Sequence, residues 1–202
     1  MTVGDEAFFA VAGRQRAHRL FRVDPVPDEV IERLLATATM APSAENRQPW
    51  EFVVVRDAGV RARIGELTRQ AWRGGGRAYA ESRLSPQLLA DVDRGAEGEV
   101  SAAPVLVVVC VDARRTHETT IPASIFPAVQ NLLLAANAVG LGAALTTLPT
   151  AFALELGELL SLPEHVRPLA VVPIGYPAHA LGPPRREPVS DHAHRDRYGS
   201  RW

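Results

Sequence analysis

Residues 123–139 form a stretch of this 202-residue chain that is apolar on almost every side. With 3.6 residues per turn, one side of a helix here carries Ile125, Val129, Leu132 and Ala136, and further apolar residues point elsewhere. A helix of this kind is stable in water only when apolar surface covers most of its sides. The pattern therefore predicts a core helix in an oligomer, because one chain of this size leaves part of such a helix uncovered.

A second apolar run, residues 104–111, has no polar alternation and predicts a strand that is buried on both faces. The rest of the pattern alternates helices with strands, which favours one domain spanning 1–202 with helices packed on a sheet. The predicted helices are 27–40, 59–72, 86–92, 123–139 and 150–160, and the predicted strands are 51–55, 104–111, 142–148 and 168–174.

Two segments carry weak patterns. Residues 73–101 combine glycine clusters with charges and a short helical pattern, which is typical of a mobile excursion over a site, and we interpret them as a variable lid. Residues 176–202 can bury little of their own. We therefore expect this C-terminal extension to pack on another surface, that of a partner subunit.

Composition excludes several classes of function. The formal net charge is −1, so neither nucleic acid nor a membrane surface is an expected partner. All 22 basic residues are arginine, which excludes Schiff-base chemistry on lysine. Cys110 is the only cysteine and lies within the apolar run, where a buried thiol is expected. With an acidic start and no apolar stretch of ~18 residues, the expected location is cytoplasmic.

Arginines cluster near both ends of the chain, in residues 14–19 and 183–188. The planar fork of arginine binds phosphate oxygens in pairs, so two converging clusters suit a phosphate monoester. Taken alone, each cluster is more often a solvated surface. Ser43 lacks the partners of a hydrolase triad, and the histidines of the tail are better explained as solvated residues than as metal ligands.

A polar loop between two prolines follows the first arginine cluster and is itself followed by a strand. The order is Arg16-Ala17-His18-Arg19-Leu20-Phe21, then Ala41-Pro42-Ser43-Ala44-Glu45-Asn46-Arg47-Gln48-Pro49-Trp50, then a Phe-Val-Val-Val strand. This order and spacing resemble the flavin-dependent nitroreductase family. Later landmarks at 127–132, 140–142 and 173–177 resemble it too, so the similarity covers almost the whole chain except 73–101.

The resemblance implies an α+β, nitroreductase-like three-layer sandwich in which a central four- or five-stranded mixed sheet is flanked by helices, in a dimeric protein. It implies FMN held non-covalently at the interface of a homodimer. The implied reaction passes electrons from NADH or NADPH, by ping-pong exchange, to a small planar acceptor such as a nitroaromatic compound or a quinone. Because hydride transfer depends chiefly on positioning, no catalytic side chain is expected.

The family's cofactor contacts carry over to ten positions of this chain. Arg16, Ala17 and Arg19 match positions at the FMN phosphate, and Arg186, with Arg185 beside it, matches a contact from the C-terminal tail. Pro42, Ser43 and Asn46 match loop positions that reach the flavin of the partner subunit. Thr147 and Leu148 match the strand end that faces flavin N5, and no metal ligand is implied.

Two substitutions weaken the phosphate contacts of the family pattern. Gln15 stands in place of an arginine and Ala17 in place of a serine, so one charge and one hydroxyl are missing. These substitutions leave open a flavin-binding or regulatory module with little turnover. A relative that uses the same fold to fragment flavin or remove halogen is a separate alternative.

Overall fold

The core of the molecule is a four-stranded sheet in the order β1-β2-β4-β3, with every neighbouring pair antiparallel. The computed structural model describes residues 3–202, with side chains from Glu6 onward. A parallel pairing occurs in the described chain as an isolated bridge between Ala17 and Ala143. The strands are β1 (Trp50–Val55), β2 (Val105–Asp112), β3 (Gly142–Ala143) and β4 (Val166–Gly175).

Helices cover both faces of the sheet, which confirms the predicted three-layer α+β sandwich. Alternate residues of β2 point to opposite faces, as the pleat of a strand requires. Val107 packs in the layer of α2 and α6, and Leu106 packs in the layer of α3 and α7. The helices are α1 (Val3–Arg14), α2 (Asp28–Ala38), α3 (Ala58–Ala71), α4 (Arg77–Glu81), α5 (Pro86–Arg94), α6 (Ile121–Ala138) and α7 (Ala153–Leu159).

All eight residues of β2 are buried, as the unbroken apolar run predicts. Cys110 lies in this strand and points into the layer of α3 and α7. Burial raises the pKa of its thiol to about 12, because a thiolate would lose its hydration there. The cysteine is therefore a packing residue at neutral pH.

Strand β3 is much shorter than the predicted strand 142–148, and a proline explains the difference. Gly142 pairs with Gly175, Ala143 pairs with Ile174, and the same register returns at Thr146 opposite Val171. Between them this register places Ala144 opposite Pro173, which has no N–H to donate. The ladder therefore opens at Ala144 and Leu145, and the chain turns away from the sheet.

Helix α6 packs one side against the sheet and leaves the other side partly exposed. Phe126, on the outer side, is 39% exposed, whereas Ile125, Ala128 and Leu132 are fully buried. By length and composition alone, residues 118–138 would suffice to cross a membrane, although no such stretch was expected. In the structure, 44% of the window that meets this criterion is buried within the protein.

The region predicted as a lid is helical almost throughout. We call residues 72–100 the excursion; it comprises α4, α5 and two wide turns at Trp72–Gly76 and Gly95–Glu99. Each turn contains one glycine at positive φ, Gly75 at 142° and Gly98 at 158°, where a side chain would be strained. These glycines let the chain reverse and fold the excursion back onto the sheet.

The sequence pattern did not predict α1, which runs up to the first arginine cluster. Its residues Phe8 and Phe9 are about 60% exposed, so little apolar burial marks this helix. At the other end, residues 176–202 contain no helix or strand longer than the short turn Val189–Asp191.

Candidate functional site

The two predicted arginine clusters line one cavity of about 1,030 Å³, which we call the basic cavity. The N-terminal cluster approaches from the segment after α1, and the tail approaches from the segment after β4. The cavity brings together five of the ten predicted cofactor contacts, namely Arg16, Ala17, Arg19, Arg185 and Arg186. It also contains residues that the sequence did not indicate, among them Leu133, Leu145 and the carboxylate of Asp91.

The N-terminal arginines are positioned by pairing with the edge of the sheet. Ala17 forms a bridge with Ala143, and the amide of His18 donates a hydrogen bond to the Ala143 carbonyl at 3.0 Å. The close approach requires Gly142, because a Cβ there would lie 2.9 Å from Cβ of His18. Arg16 is held from the tail side, where its guanidinium donates to the carbonyl of Gly182. The pairing therefore joins the two clusters.

Arg19 is half-buried between the sheet and the excursion. Burial lowers the pKa of its guanidinium, and the nearby charge of Arg16 lowers it further, whereas Asp91 raises it. Its aliphatic stem packs against Gly95, where a Cβ would lie only 2.7 Å from Cδ of Arg19. A positive charge held this way, with limited hydration, is well suited to attract an anion.

A second cavity of about 380 Å³ adjoins the first, and Arg19 and Leu145 line both. It opens where Pro173 interrupts the sheet, and the predicted residues Thr147 and Leu148 line it. We call it the aromatic cavity, because Trp72 and Tyr79 of the excursion form part of its wall. The sequence pattern placed this segment over a site but did not indicate which of its residues form the wall, and Trp72 beside three glycines is the signal that could have found them.

Hydrogen bonds at the strand end distinguish the two predicted backbone donors. The amide of Leu148 donates to Oγ1 of Thr146 at 3.2 Å, so this donor is already used. Within the described chain the amide of Thr147 has no hydrogen-bond partner. Thr147 is therefore the residue whose N–H is available to a bound molecule.

Trp72 is fixed in the wall of the aromatic cavity. It is 3% exposed, and its indole N–H donates to Oδ1 of Asp93 at 2.7 Å. The same carboxylate oxygen accepts from Nε of Arg77 at 3.2 Å. Gly76 lies between Trp72 and Leu148, where there is no room for a side chain, because a Cβ would come within 3.3 Å of both of these residues. These hydrogen bonds join the two ends of the excursion to each other, and the close approach of Gly76 to Leu148 brings it against the strand end.

The loop residues Pro42, Ser43 and Asn46 line neither cavity of their own chain. The loop is nevertheless ordered by its own hydrogen bonds: Oγ of Ser43 accepts from the amide of Gln48 at 3.0 Å. Asn46 and Gln48 have φ of 54° and 48°, a left-handed conformation that costs about 1–2 kcal/mol for each such residue. A strained, ordered loop is typical of a functional segment.

The loop is attached to helix α6. Oγ of the fully buried Ser124 accepts a hydrogen bond from the amide of Ala44 at 3.1 Å. The loop therefore contacts α6 at a buried position, about 200° around the helix axis from the exposed Phe126, because successive helical residues are ~100° apart. Three of the ten predicted contacts are thus held outside both cavities, in a loop that is anchored to α6 near its first residues.

No group of three or more His, Cys, Asp or Glu side chains is placed to hold a metal ion among the described residues. In the tail, His192 lies 3.0 Å from the carboxylate of Glu187, and His194 packs against Tyr198.

A layered α+β sandwich with a basic cavity beside an aromatic cavity at the edge of its sheet is suited to binding a small molecule with a negative charge and a planar ring. Residues 12–176 match the Nitroreductase family. The chain belongs to this family, whose members are oxidoreductases. The predicted resemblance is confirmed.

Two relatives differ in the reaction that their names state. A protein of Methanothermobacter thermautotrophicus, whose name proposes an NADH dehydrogenase or NAD(P)H nitroreductase, is 33% identical over 174 residues, covering 83% of this chain and 76% of the relative. An iodotyrosine deiodinase of Haliscomenobacter hydrossis is also 33% identical, over 182 residues, covering 85% of this chain and 79% of the relative. Sequence identity does not separate the two reactions.

Solved structures show the same fold. An oxidised iodotyrosine deiodinase bound to FMN and 3-iodo-L-tyrosine aligns with a TM-score of 0.74 at 24% identity, covering 95% of this chain and 98% of that chain. An NADPH:FMN oxidoreductase of Vibrio harveyi complexed with NAD+ aligns with a TM-score of 0.75 at 22% identity, covering 95% of this chain and 78% of that one.

Proposed function

We propose that this protein is an FMN-dependent oxidoreductase that transfers electrons from NADH or NADPH to a small planar acceptor such as a nitroaromatic compound or a quinone. The observation that carries the proposal is the pair of adjoining cavities that share Arg19 and Leu145. One is basic and suits a phosphate, and the other is apolar and aromatic and suits a planar ring. The cytoplasm, where NADH and NADPH are available, is the proposed location.

The residues of the basic cavity fit the phosphate of FMN. Arg16, Arg19, Arg185 and Arg186 offer guanidinium donors, and the cavity is of the size that cofactors occupy, about 300–1,000 Å³. Gln15 also lines the cavity, with a neutral amide where the family pattern has an arginine. The remaining arginines must therefore neutralise the phosphate dianion. The free amide of Thr147 would donate to the flavin ring.

When bound, FMN supplies a carrier that accepts two electrons from one partner and passes them to the next. NADH or NADPH leaves as NAD+ or NADP+ after giving up a hydride, and a quinone acceptor takes up these two electrons with one proton from the hydride and one from solvent to become a hydroquinone. The residues of this chain bind and orient the reactants: Arg19 holds negative charge, while Leu148 and Trp72 exclude water from the ring face. Holding the reacting atoms at contact distance accounts for catalysis without an acid or base from a side chain.

The proposed working form is a homodimer. Pro42, Ser43 and Asn46 line neither cavity of their own chain, and their loop is anchored to α6 at Ser124. Joining two copies along α6 would bring this loop to the cavity of the partner. The tail lines the basic cavity of its own chain as far as Arg186, so the part that would pack on the partner is the segment after it.

The test begins with the purified protein and its bound cofactor. We expect a yellow protein with the absorbance of a flavin, and heat should release a compound with the mass of FMN. Because the arginines act on the phosphate, FMN should bind at least ~10-fold more tightly than riboflavin. The variant Arg186→Ala should reduce this preference by weakening FMN and leaving riboflavin unchanged.

Arg63→Ala is the matched control, because Arg63 is an exposed arginine of α3 that lines neither cavity. It should keep the preference for FMN. A colourless protein that binds FMN and riboflavin equally would refute the proposal. Oxidation of NADH or NADPH that does not increase with added acceptor would instead favour a flavin-binding or regulatory module.

A second candidate reaction is reductive removal of halogen, favoured by the 33% identity to an iodotyrosine deiodinase. In that reaction two electrons and a proton replace an aryl carbon–iodine bond with a carbon–hydrogen bond and release iodide. Iodide release from 3-iodo-L-tyrosine under reducing conditions would establish it. Turnover of quinones without iodide release would establish the first reaction.

A further inference from the structure

The arginines of the excursion are almost all neutralised by carboxylates. Arg77 lies 3.2 Å from Asp93, Arg94 lies 3.8 Å from Glu99, and Arg73 is paired with Glu97. Arg83 is the exception: within the described chain it has no acidic partner. It lies at the tip of the excursion, in the turn between α4 and α5.

Arg83 instead lies over an aromatic wall of the site. Its guanidinium carbon is 4.1 Å from the centre of the Tyr79 ring, which is within the range of a cation–π contact. Tyr79 lines the aromatic cavity and is 65% exposed, so this ring stands at the mouth of the cavity. Arg83 itself lines neither cavity, and its positive charge, unpaired within the described chain, is held against the Tyr79 ring that does line the aromatic cavity.

The charged side chain that lines the aromatic cavity is positive, as Arg83 is. None of the described residues that line the aromatic cavity is acidic, and Arg19 at its inner end is positive. A negative substituent on a ring would meet no repulsion from the wall. It could instead replace the exposed cation–π contact of Arg83 with a charge-assisted pair of hydrogen bonds, which is the stronger interaction.

We propose that the acceptor is an aromatic compound bearing a carboxylate, and that Arg83 is the residue that selects it. The ring enters the aromatic cavity beside Tyr79, and the carboxylate stays at the mouth, where the Arg83 fork binds it. This inference rests on the proposed function, because it names the substrate class of the same site. It assigns a role to Arg83 that the transfer of electrons itself does not require.

The experiment compares two compounds that differ in this one group, 4-nitrobenzoate and 4-nitrobenzamide. Binding of each to the oxidised protein, as purified and without an electron donor, is measured by titration calorimetry. The wild-type protein should bind the benzoate about fivefold more tightly, the range expected for a partly exposed charged pair. The preference should decrease as salt is added, because the pair is exposed.

Arg83→Gln should make the two dissociation constants similar, because it weakens binding of the benzoate and leaves binding of the benzamide unchanged. Arg63→Gln removes the same charge from the exposed surface of α3 and should keep the wild-type preference. The same ratio should appear in KM for reduction of the two compounds by NADH or NADPH.

If the wild type and Arg83→Gln prefer the benzoate to the same degree, or if the wild type prefers the benzamide, the role of Arg83 is overturned. The proposed oxidoreductase function would be unaffected by either result. A protein without flavin that reduces neither compound would refute the proposed function. In that case the two dissociation constants still decide whether Arg83 selects the carboxylate, because they are measured without turnover.

Discussion

Single arginines change their role with their surroundings in this protein. Arg16 is anchored to the tail, Arg19 is half-buried beside Gly95, and Arg83 remains exposed over Tyr79. The charges are the same, yet the cost of removing water and the nearest partner differ at each position. These local differences determine which guanidinium is available for a phosphate and which for a smaller anion.

The ionisation of His18, within the first arginine cluster, also depends on its surroundings. Burial lowers the pKa of its imidazole, and the nearby His179 and Arg16 lower it further. The unfolded chain therefore takes up a proton at a higher pH than the folded protein does. The stability that neutral His18 contributes is complete above about pH 6.5 and is lost as pH falls toward the lower, folded-state pKa.

We expect the unfolding temperature of the wild-type protein to drop more between pH 8 and pH 5.5 than that of His18→Gln. Unfolding is followed by circular dichroism at both pH values. His117→Gln, which removes an exposed histidine that is in no ion pair of the described chain, is the control and should behave as the wild type. Identical pH dependence in His18→Gln and wild type would contradict the assignment.

Among the elements, the sheet edge and the excursion together create the site. Pro173 stops the ladder between β3 and β4, and the gap becomes the aromatic cavity. The excursion then covers this gap through Trp72, Gly76 and Gly95. Because these contacts are close, the excursion is a built wall of the cavity, and its proposed role as a lid requires them to separate.

The contact between Gly95 and Arg19 allows a test of how the excursion positions the arginine. In Gly95→Ala the new methyl group would lie 2.7 Å from Cδ of Arg19, so the arginine must leave its rotamer or the excursion must move. A displaced rotamer costs about 1 kcal/mol, so FMN should bind ~5- to 10-fold more weakly. Riboflavin, which lacks the phosphate, should be affected less, as measured by quenching of flavin fluorescence.

Gly157→Ala is the control for this substitution, because no atom lies within 4 Å of the added Cβ on α7. It should leave FMN affinity unchanged and raise the stability of the helix by up to about 1 kcal/mol. Equal FMN affinity in Gly95→Ala and wild type would show that Arg19 does not depend on the excursion.

For the molecule as a whole, the predicted contacts divide between two surfaces. Arginines line the basic cavity, whereas the loop with Ser43 and Asn46 is displayed beside α6. If the site is shared between two copies, a defect in each half should be complemented by the other copy. This gives a direct test of the proposed homodimer.

We expect Arg16→Ala/Arg186→Ala and Ser43→Ala/Asn46→Ala each to bind FMN weakly as homodimers. In a mixed dimer, one site carries both defects and the other carries none. Co-expression with two different tags, followed by purification through both, should recover about one tightly bound FMN per two chains, measured by absorbance. Recovery of none would place the arginines and the loop of the same chain in one site, because each site of the mixed dimer would then carry one defect. Gel filtration of the wild type should give the mass of two chains.

The amino-acid sequence by itself determined the layers, the buried strand and helix, and the family. Periodicity and spacing are local properties, so β2, α2, α3 and α6 were predicted to within a few residues. Tertiary structure decided the rest. The break of β3 depends on Pro173, thirty residues away in sequence, and the wall of the aromatic cavity depends on glycines that admit Arg19 and Trp72. Helix α1 escaped prediction because its apolar residues remain exposed. Such features arise from contacts between distant segments, and no local pattern in the chain records them.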